Sequence, residues 1–390
     1  MNGQAGAPPD DFSVDGQNWF FPTYNWEVME SDNFSWWKKR FAKLSDYFDC
    51  FRIDHILGFF RIWEIPMEYI QGLCGHFNPA LPFTKDEIEQ YGLSFNEARL
   101  TTPHINREFL PELFGEQTEE VIDTYLAQSS SRHFVLKPFC DTQRKIEKLF
   151  EGMNDEVSLR VKKGLFAIAN EVLFLRDPRE ADKYHPRISA SRSFIYRELS
   201  APDKYAFDQL YWHFFYHRHN DFWKAQALNR LTPLVSSTEM LVCGEDLGMI
   251  PESVPDVMHK LQILSLEIER MPKTAQREFS DLSDLPYHSV CTTSTHDMTP
   301  LRSWWREDRA KIQRYYNNVL RREGAAPEDC SADIITQIIF NHLGARSMLA
   351  ILPLQDWLGM DDTIKRKDAE AERINAVSYT HLRAHETDSY

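Results

Sequence analysis

The stretch FDCFRIDH (Phe48–His55) sets the first expectation about the fold, because an apolar run ends abruptly in an acid. Phe48–Ile53 is short and contains apolar and β-branched residues, which is typical of a buried strand, and Asp54 follows it at once. Two further segments repeat this pattern: Met240–Cys243 followed by Gly244-Glu245-Asp246, and Ser289–Thr295 followed by His296-Asp297. The sequence therefore predicts three short buried strands, each of which ends in an acid.

Segments with helical patterning separate these strands, for example Val254–Leu264 and Arg309–Arg322. Strands that alternate with helices indicate a parallel sheet, so the expected fold class is α/β. Barrels of this class keep their chemistry at the carboxyl ends of the parallel strands. The acids that follow the three strands are therefore the candidate functional residues.

The spacing of the acids is uneven. Asp54 and Glu245 are 191 positions apart (245 − 54), whereas Glu245 and Asp297 are 52 apart (297 − 245). A strand–helix–strand unit needs only about 30 residues or more, so the first interval is far too long for one or two units. The region from about residue 83 to 200 is mostly helical in pattern, and we interpret it as an inserted helical subdomain. Trp212–Leu231 then predicts one long helix that returns to the sheet.

Composition excludes several classes of protein. The 390 residues are 42% hydrophobic and 26% charged, with a net charge of −15, so the chain can bury a core. The excess of acids argues against a nucleic-acid partner. No apolar run approaches the roughly 20 residues that span a bilayer, so no membrane partner is expected.

The six cysteines form no CxxC pair, which predicts buried thiols in a reducing, cytoplasmic compartment. The Gly- and Pro-rich residues 1–26 predict a long ordered loop.

Carboxylates at strand ends suit the cleavage of glycosidic bonds. In a retaining reaction one ionised carboxylate attacks the anomeric carbon, and a protonated carboxyl roughly 5–5.5 Å away gives its proton to the leaving oxygen. Arg52 lies two residues before Asp54, on the same strand face, and would keep that acid ionised. Burial and the neighbouring Asp246 would raise the pKa of Glu245. The pattern alone leaves another interpretation open, in which these acids cap helices or hold structural arginines.

A metal site is not expected among these residues. Adjacent strand residues point to opposite faces, so Asp54-His55 and His296-Asp297 can each supply at most one inward ligand. The sequence also has no HxH and no HExxH motif. The aromatic residues in Trp19–Trp26 could line a sugar groove or could simply anchor their loop.

Three motifs resemble those of the 4-α-glucanotransferases, the amylomaltases of glycoside hydrolase family 77. They are FRIDHILGFFRIWEIP (Phe51–Pro66), GEDLGMIPESV (Gly244–Val254) and STHDM (Ser294–Met298). Three more segments are similar to the loop before the nucleophile strand and to the last-strand region: GAPPDDFSVDGQNWFFPTYNW (Gly6–Trp26), LPLQDWLGM (Leu352–Met360) and ERIN (Glu372–Asn375). The helical insertion resembles that of the disproportionating-enzyme-2 type.

The resemblance implies a role for each matching position. Asp54 matches the nucleophile, Glu245 the general acid/base and Asp297 the stabiliser of the transition state. Residues that match substrate-binding positions are Arg52, His296, Asn375, Trp19 and Tyr24. Where many members have a glycine, this chain has Phe20-Phe21, so the shape of that loop is expected to differ.

The implied reaction is a retaining double displacement on α-1,4-glucans. A glucosyl or glucan unit would pass from maltose or a malto-oligosaccharide to a glucan acceptor, with no metal or organic cofactor. Two rivals stay open: an α-glucan hydrolase that uses the same acids, and an inactive glucan-binding fragment. Product analysis separates the first rival from the transferase, and turnover compared with binding separates the second.

The implied fold is a (β/α)8 TIM barrel that is incomplete, with strands 4–8 present. We expect barrel parts at 1–83 and 201–375, the helical insertion at 84–200 and a non-native tail at 376–390. The chain is therefore expected to be a fragment, whose open sheet edge would favour aggregation. By itself it is expected to be poorly soluble or inactive, whereas the intact gene product would be active.

Overall fold

The structure is a computed structural model that describes residues 3–10, 13–274 and 276–364. Asn375 and the predicted tail at 376–390 lie outside the described residues. Within them, no helix is both long enough and apolar enough to cross a bilayer.

The described strands are Gly3–Ala7 (β1), Gln17–Pro22 (β2), Cys50–Ile53 (β3), Ile62–Pro66 (β4), His76–Asn78 (β5), Phe83–Thr84 (β6), Ile105–Asn106 (β7), Leu126–Gln128 (β8), His133–Leu136 (β9), Phe174–Arg176 (β10), Lys183–Pro186 (β11), Leu241–Gly244 (β12), Ser265–Ile268 (β13), Ser289–Thr292 (β14) and Leu349–Ala350 (β15).

The described α-helices are Trp26–Ser31 (α1), Ser35–Leu44 (α2), Lys85–Gln90 (α3), Glu97–Leu100 (α4), Leu110–Phe114 (α5), Thr118–Tyr125 (α6), Gln143–Leu149 (α7), Glu156–Ala169 (α8), Phe194–Arg197 (α9), Ala201–Tyr216 (α10), Asn220–Val235 (α11), Ser253–Lys260 (α12), Leu301–Glu307 (α13), Arg309–Arg314 (α14), Ala332–Leu343 (α15) and Leu354–Leu358 (α16). A π-helical turn, Tyr315–Val319, extends α14, and 3₁₀ turns cover Ile56–Phe59, Arg107–Phe109, Gly115–Gln117, Ala190–Arg192 and Asp362–Ile364.

The chain divides into two compact units. Within the described residues, the first unit comprises residues 3–37, 57–234 and 249–254, and the second comprises residues 38–56, 235–248 and 255–364. The predicted domain boundaries near residues 83 and 200 both fall inside the first unit. Those boundaries stay a prediction about how the chain is organised around a barrel.

The second unit contains the expected parallel strands in chain order. β3 pairs with β12 in parallel, β13 pairs with β14, and β14 pairs with β15. A parallel bridge between Cys243 and Leu264 joins β12 to the segment that leads into β13. Helices α12 to α15 lie between these strands along the chain. The prediction of an α/β fold with acids placed after parallel strands is thereby confirmed for this unit.

Helices α13 to α15 form the main helical core of the second unit. Apolar residues recur along α15 at the helical period, at positions 334, 335, 338 and 339, and all four are buried. They pack with Trp304, Trp305 and Tyr315 in one cluster. A stripe of this kind needs a partner surface, and the two tryptophans of α13 supply it.

The first unit corrects the expectation of a long loop over residues 1–26. β1 and β2 pair with each other there, in an antiparallel sheet of order β2-β1-β4-β5. β1 has the sequence GQAGA, without the apolar alternation that marks a strand. Its small residues serve a close backbone approach, since a Cβ atom on Gly6 would lie 2.1 Å from the carbonyl oxygen of Gln17.

The region predicted as a helical insertion contains α3 to α9 and also short strands. These strands form antiparallel sheets of order β10-β11-β6 and β7-β9-β8.

The prediction of one long helix over Trp212–Leu231 is wrong, because α10 ends at Tyr216 and α11 begins at Asn220. The imidazole Nδ1 of His219 bonds the carbonyl oxygen of Phe214 at 2.8 Å, so a side chain takes a carbonyl that a continuous helix would use.

Candidate active site

Two paired strands carry Asp54 and Glu245 to the same edge of the sheet. In the parallel register, Gly244 of β12 lies opposite Ile53 of β3, so the next residue of each strand is an acid. The backbone N–H of Glu245 donates to the carbonyl oxygen of Ile53 at 2.9 Å, and its own carbonyl accepts from Ile56 at 3.0 Å. The predicted convergence of residues 191 positions apart is therefore a consequence of strand pairing.

Glu245 is sheltered and held by backbone donors. Its side chain is 13% exposed. The N–H of His55 donates to Oε2 at 2.8 Å, and the N–H of Leu247 donates to Oε1 at 3.2 Å. Burial, reinforced by the negative charge of Asp54, raises the pKa of Glu245 to about 7, although Arg52 and the two N–H groups act in the opposite direction. The carboxyl is therefore partly protonated near neutral pH.

Asp54 has a different environment. A guanidinium nitrogen (Nη2) of Arg52 donates to Oδ1 of Asp54 at 2.6 Å, as the i, i+2 spacing on one strand face predicts. The side chain of Asp54 is 71% exposed, so it does not share the shelter of Glu245. The charged hydrogen bond from Arg52 holds the carboxylate of Asp54 in place.

Asp246 does not contribute the like charge that the sequence analysis assigned to it. Its carboxylate accepts from the N–H of Leu266 at 3.0 Å and from Nζ of Lys273 at 2.7 Å, away from the site. Consecutive residues after a strand point to opposite sides, which separates Glu245 from Asp246. The charge that raises the pKa of Glu245 belongs to Asp54 instead.

His296 and Asp297 lie on the loop that follows β14. Nε2 of His296 is 3.1 Å from Oδ2 of Asp297, and the side chain of Asp297 is 66% exposed. The buried Asp356 fastens this loop, because its carboxylate accepts from Thr293 Oγ1 at 2.5 Å and from the N–H of Leu301 at 2.9 Å. The sequence analysis missed this role, although Asp356 belongs to the LPLQDWLGM segment.

A cavity of about 480 Å³ is lined by residues of the parallel strands β3, β12, β13 and β14. Its lining includes Arg52 and Gly244 at the carboxyl ends of β3 and β12, together with His296 from the loop after β14. The volume lies within the range of small-ligand pockets. Two of the predicted substrate-binding side chains, those of Arg52 and His296, are thus brought to one cavity.

Comparison with known proteins shows the family to which the chain belongs. Residues 1–379 match the family model of glycoside hydrolase family 77, described as 4-alpha-glucanotransferase. The chain is 37% identical over 380 residues to the 4-alpha-glucanotransferase DPE2 of Oryza sativa subsp. japonica, an alignment that covers 96% of this chain and 40% of that protein. This chain belongs to the 4-alpha-glucanotransferase family.

Similarities to two other proteins were also found. A chloroplastic/amyloplastic 4-alpha-glucanotransferase of Solanum tuberosum is 52% identical over 73 residues, 19% of this chain and 13% of that protein. A solved amylomaltase from Streptococcus agalactiae in complex with acarbose aligns with a TM-score of 0.47 and 15% identity, covering 91% of this chain and 42% of that one. The chain thus spans less than half the length of each of these 4-alpha-glucanotransferases and amylomaltases.

The aromatic residues expected to line a sugar groove lie in the first unit, whereas the three acids lie in the second. Trp19 stacks on Phe21 with ring centroids 5.8 Å apart, and its Nε1 donates to the side chain of Gln17. Tyr24 is half-exposed, with its ring 5.3 Å from that of Trp26. The substrate-binding roles of Trp19 and Tyr24 in this family member stay predictions, and that of Asn375 falls outside the described residues.

Phe20 has the backbone conformation that a glycine favours. Its φ angle is 59°, in the left-handed region that non-glycine residues rarely adopt. The side chain of Asn18 accepts from the N–H of Phe20 at 3.0 Å and supports this turn. Phe20 therefore has a backbone conformation that suits a glycine.

A fourth acid follows a parallel strand. It illustrates the interpretation that the sequence pattern left open, in which an acid at a strand end supports the structure. Glu269 comes directly after β13, is buried, and accepts from the hydroxyl of Tyr315 at 2.5 Å. Burial raises its pKa to about 7, close to that of Glu245. A raised pKa at a strand end is therefore not sufficient to identify the acid/base of a 4-alpha-glucanotransferase, because Glu269 is engaged by the helical core.

Proposed function

We propose that the protein is a 4-α-glucanotransferase, which transfers glucosyl or glucan units from maltose or malto-oligosaccharides to glucan acceptors by a retaining double displacement. The observation that carries the proposal is the pairing of β3 with β12, which sets a partly protonated Glu245 beside the arginine-paired carboxylate of Asp54. One ionised and one protonated carboxyl are the two species that a retaining glycosidase-type reaction needs.

In the first step the carboxylate of Asp54 attacks the anomeric carbon of the donor. The bond between that carbon and the glycosidic oxygen breaks as the new ester bond to Asp54 forms. The departing oxygen takes the proton of Glu245, so the leaving sugar is released as a neutral alcohol. Arg52, at 2.6 Å from Oδ1 of Asp54, keeps the attacking carboxylate oriented.

In the second step Glu245, now ionised, accepts the proton of the 4-hydroxyl of a second glucan. That oxygen attacks the anomeric carbon, and the ester bond to Asp54 breaks. Two inversions at one carbon give net retention. Both steps use one carboxyl first as acid and then as base, which its pKa of about 7 permits near neutral pH.

His296 and Asp297 would interact with the sugar ring in the reacting position. Positive charge develops on the ring in both transition states, and the carboxylate of Asp297 would stabilise it. The anchoring of their loop by Asp356 supports this role, because a charge acts best when it is held in place before the reaction. Trp19, Tyr24 and Asn375 would bind more distant sugar units.

For the fold, the proposal is that β3, β12, β13, β14 and β15 are strands 4–8 of a (β/α)8 barrel. Their parallel pairing in chain order supports this assignment. The long interval between β3 and β12 would be the insertion of the disproportionating-enzyme-2 type.

A cytoplasmic location is also proposed, supported by five buried cysteine thiols and one half-buried thiol.

Hydrolysis is the second candidate, and the exposure of two acids favours it. The side chains of Asp54 and Asp297 are 71% and 66% exposed, so water can reach the ester that Asp54 would form. Transfer requires an acceptor sugar to occupy that position before water does. The two candidates share the first step and differ only in the molecule that accepts the glycosyl unit.

Asp54→Asn tests the proposal. An amide cannot form the ester, so we expect turnover of maltotriose to fall by at least about 10³-fold while maltoheptaose binding is retained. Asp46→Asn is the matched control, because Asp46 is an exposed acid that pairs with Lys43. It should leave turnover unchanged.

Two results would contradict this assignment. Unchanged turnover in Asp54→Asn would remove Asp54 from the reaction. Glucan binding by the unsubstituted protein without turnover of any malto-oligosaccharide would indicate the glucan-binding fragment instead.

A further inference from the structure

Three side chains of the first unit converge in a region that the proposed reaction does not use. His104, His133 and Glu198 each offer one ligand atom, and these atoms all lie within 4.8 Å of one another. Two imidazoles and a carboxylate form a donor set that suits zinc and related divalent ions. Because the three residues are far apart in sequence and form no motif, sequence analysis did not detect them.

The backbone fixes the positions of these residues through three separate elements. β7 and β9 pair antiparallel with Asn106 opposite His133, and His104 directly precedes β7. The N–H of His104 donates to the carbonyl oxygen of Glu171 at 2.7 Å. Glu198 directly follows α9, and its N–H donates to the carbonyl oxygen of Phe194. The cluster therefore joins a hairpin, a loop and a helix end.

Neighbouring polar groups already orient two of the three residues. Nδ2 of Asn106 donates to Oε1 of Glu198 at 2.7 Å, which leaves Oε2 directed at Nε2 of His104, 2.6 Å away. The hydroxyl of Ser130 lies 3.1 Å from Nδ1 of His133, which leaves Nε2 of that ring available. Partners of this kind fix the ring orientation and tautomer of metal-binding histidines.

We propose that His104, His133 and Glu198 form a zinc-binding site. A tetrahedral ion with ligand distances of about 2.0–2.1 Å places its ligand atoms roughly 3.4 Å apart, so ligands within 4.8 Å need to move by only about 1 Å. On binding, Zn²⁺ takes the place of the proton between His104 and Glu198, and that proton passes to solvent. The ion then links the hairpin, the loop and the helix end through coordinate bonds.

A cavity of about 450 Å³ gives the ion an entry path and leaves room for a fourth ligand. All three residues line this cavity, together with Arg99. Three protein ligands and one exchangeable position are the usual arrangement of an open zinc site. The positive charge of Arg99 favours an anion, rather than a neutral molecule, in the fourth position.

Metal titration of the protein tests this site. After treatment with chelator and buffer exchange, we expect calorimetry to show one Zn²⁺ bound per chain, and Co²⁺ to give the visible absorption of a tetrahedral site with nitrogen and oxygen ligands. His133→Ala and Glu198→Gln should each weaken Zn²⁺ binding by at least about 100-fold. His217→Ala removes an exposed histidine outside the cluster and should leave the affinity unchanged.

Each alternative outcome would overturn the proposal. Absence of saturable Zn²⁺ binding would mean that His104 and Glu198 form an ordinary hydrogen-bonded pair. Unchanged affinity in both His133→Ala and Glu198→Gln would place the ion elsewhere. A Co²⁺ spectrum with thiolate charge-transfer bands would place it on cysteines. Glu198→Gln preserves size and shape, so it provides the answer even if His133→Ala fails to fold.

Discussion

Glu245 receives opposing influences from its surroundings, and their balance sets its chemistry. Two backbone N–H groups and Arg52 favour the ionised form, whereas burial and Asp54 favour the protonated form and prevail. A rise in pKa from 4.5 to about 7 corresponds to about 3 kcal/mol between the two protonation states. The result is a carboxyl that can donate and accept a proton at similar cost near neutral pH.

The rate should therefore fall on the alkaline side with an apparent pKa of about 7. As pH rises through this value, Glu245 loses the proton that the leaving oxygen requires, so kcat/KM for maltotriose should drop about tenfold per pH unit above it. The measurement is kcat/KM from about pH 5 to about pH 9. Glu245→Gln should be slow at every pH and lack this limb. The same limb persisting in Glu245→Gln would assign it to another group.

Asp54 and Glu245 could be predicted as candidate site residues from sequence, because each directly follows a recognisable strand, whereas Asp297 lies on the loop after β14. Their environments could not be predicted in the same way. The like charge beside Glu245 comes from Asp54 across a strand pair rather than from the adjacent Asp246. Asp356 and Glu269 also required the structure, since each acts on a partner far away in sequence.

Among the secondary-structure elements, the junction between β12 and β13 depends on side chains as well as on backbone pairing. The carboxylate of Asp246 accepts from the N–H of Leu266 at the start of β13. Nζ of Lys273 then bridges Asp246 at 2.7 Å and Glu267 at 2.8 Å. Both acids are buried, so the ammonium group compensates two charges that have little access to water.

Lys273→Met should destabilise the protein by about 3 kcal/mol, because it removes the cation and leaves two buried acids unpaired. Denaturant midpoints of the protein, recorded near neutral pH, provide the measurement. Lys39→Met is the control, since Lys39 is an exposed lysine of α2, and it should change stability by less than about 0.5 kcal/mol. A loss equally small in Lys273→Met would show that water compensates Asp246 and Glu267.

Strands with apolar or β-branched residues could be predicted, whereas elements built on backbone contact could not. β3, β12 and β14 each contain such residues; β3 and β14 lie within the segments that the sequence indicated as strands, and β12 overlaps its predicted segment, Met240–Cys243, but ends one residue later. β1 consists of GQAGA and forms through close backbone approach, for which the sequence has no periodic signal. The break between α10 and α11 likewise depends on the bond that His219 makes to Phe214.

At the scale of the whole molecule, the three acids and the cavity that Arg52 and His296 line belong to one unit. Residues 38–56, 235–248 and 255–364 contain Asp54, Glu245 and Asp297 together with Arg52 and His296. The proposed bond-breaking step thus depends on a single compact part of the described chain. The exposure of Asp54 leaves the choice of acceptor to whichever molecule reaches the ester first.

Incubation with maltotriose should therefore yield glucose together with glucans both longer and shorter than the substrate. The glycosyl ester on Asp54 partitions between water and an acceptor hydroxyl, so the share of longer products should rise with the concentration of maltotriose, whereas the water concentration stays constant. Chromatography of the products over a concentration series measures this partition, and Asp54→Asn should form neither set. Glucose and maltose alone at every concentration would show that water wins the competition and that the enzyme is a hydrolase.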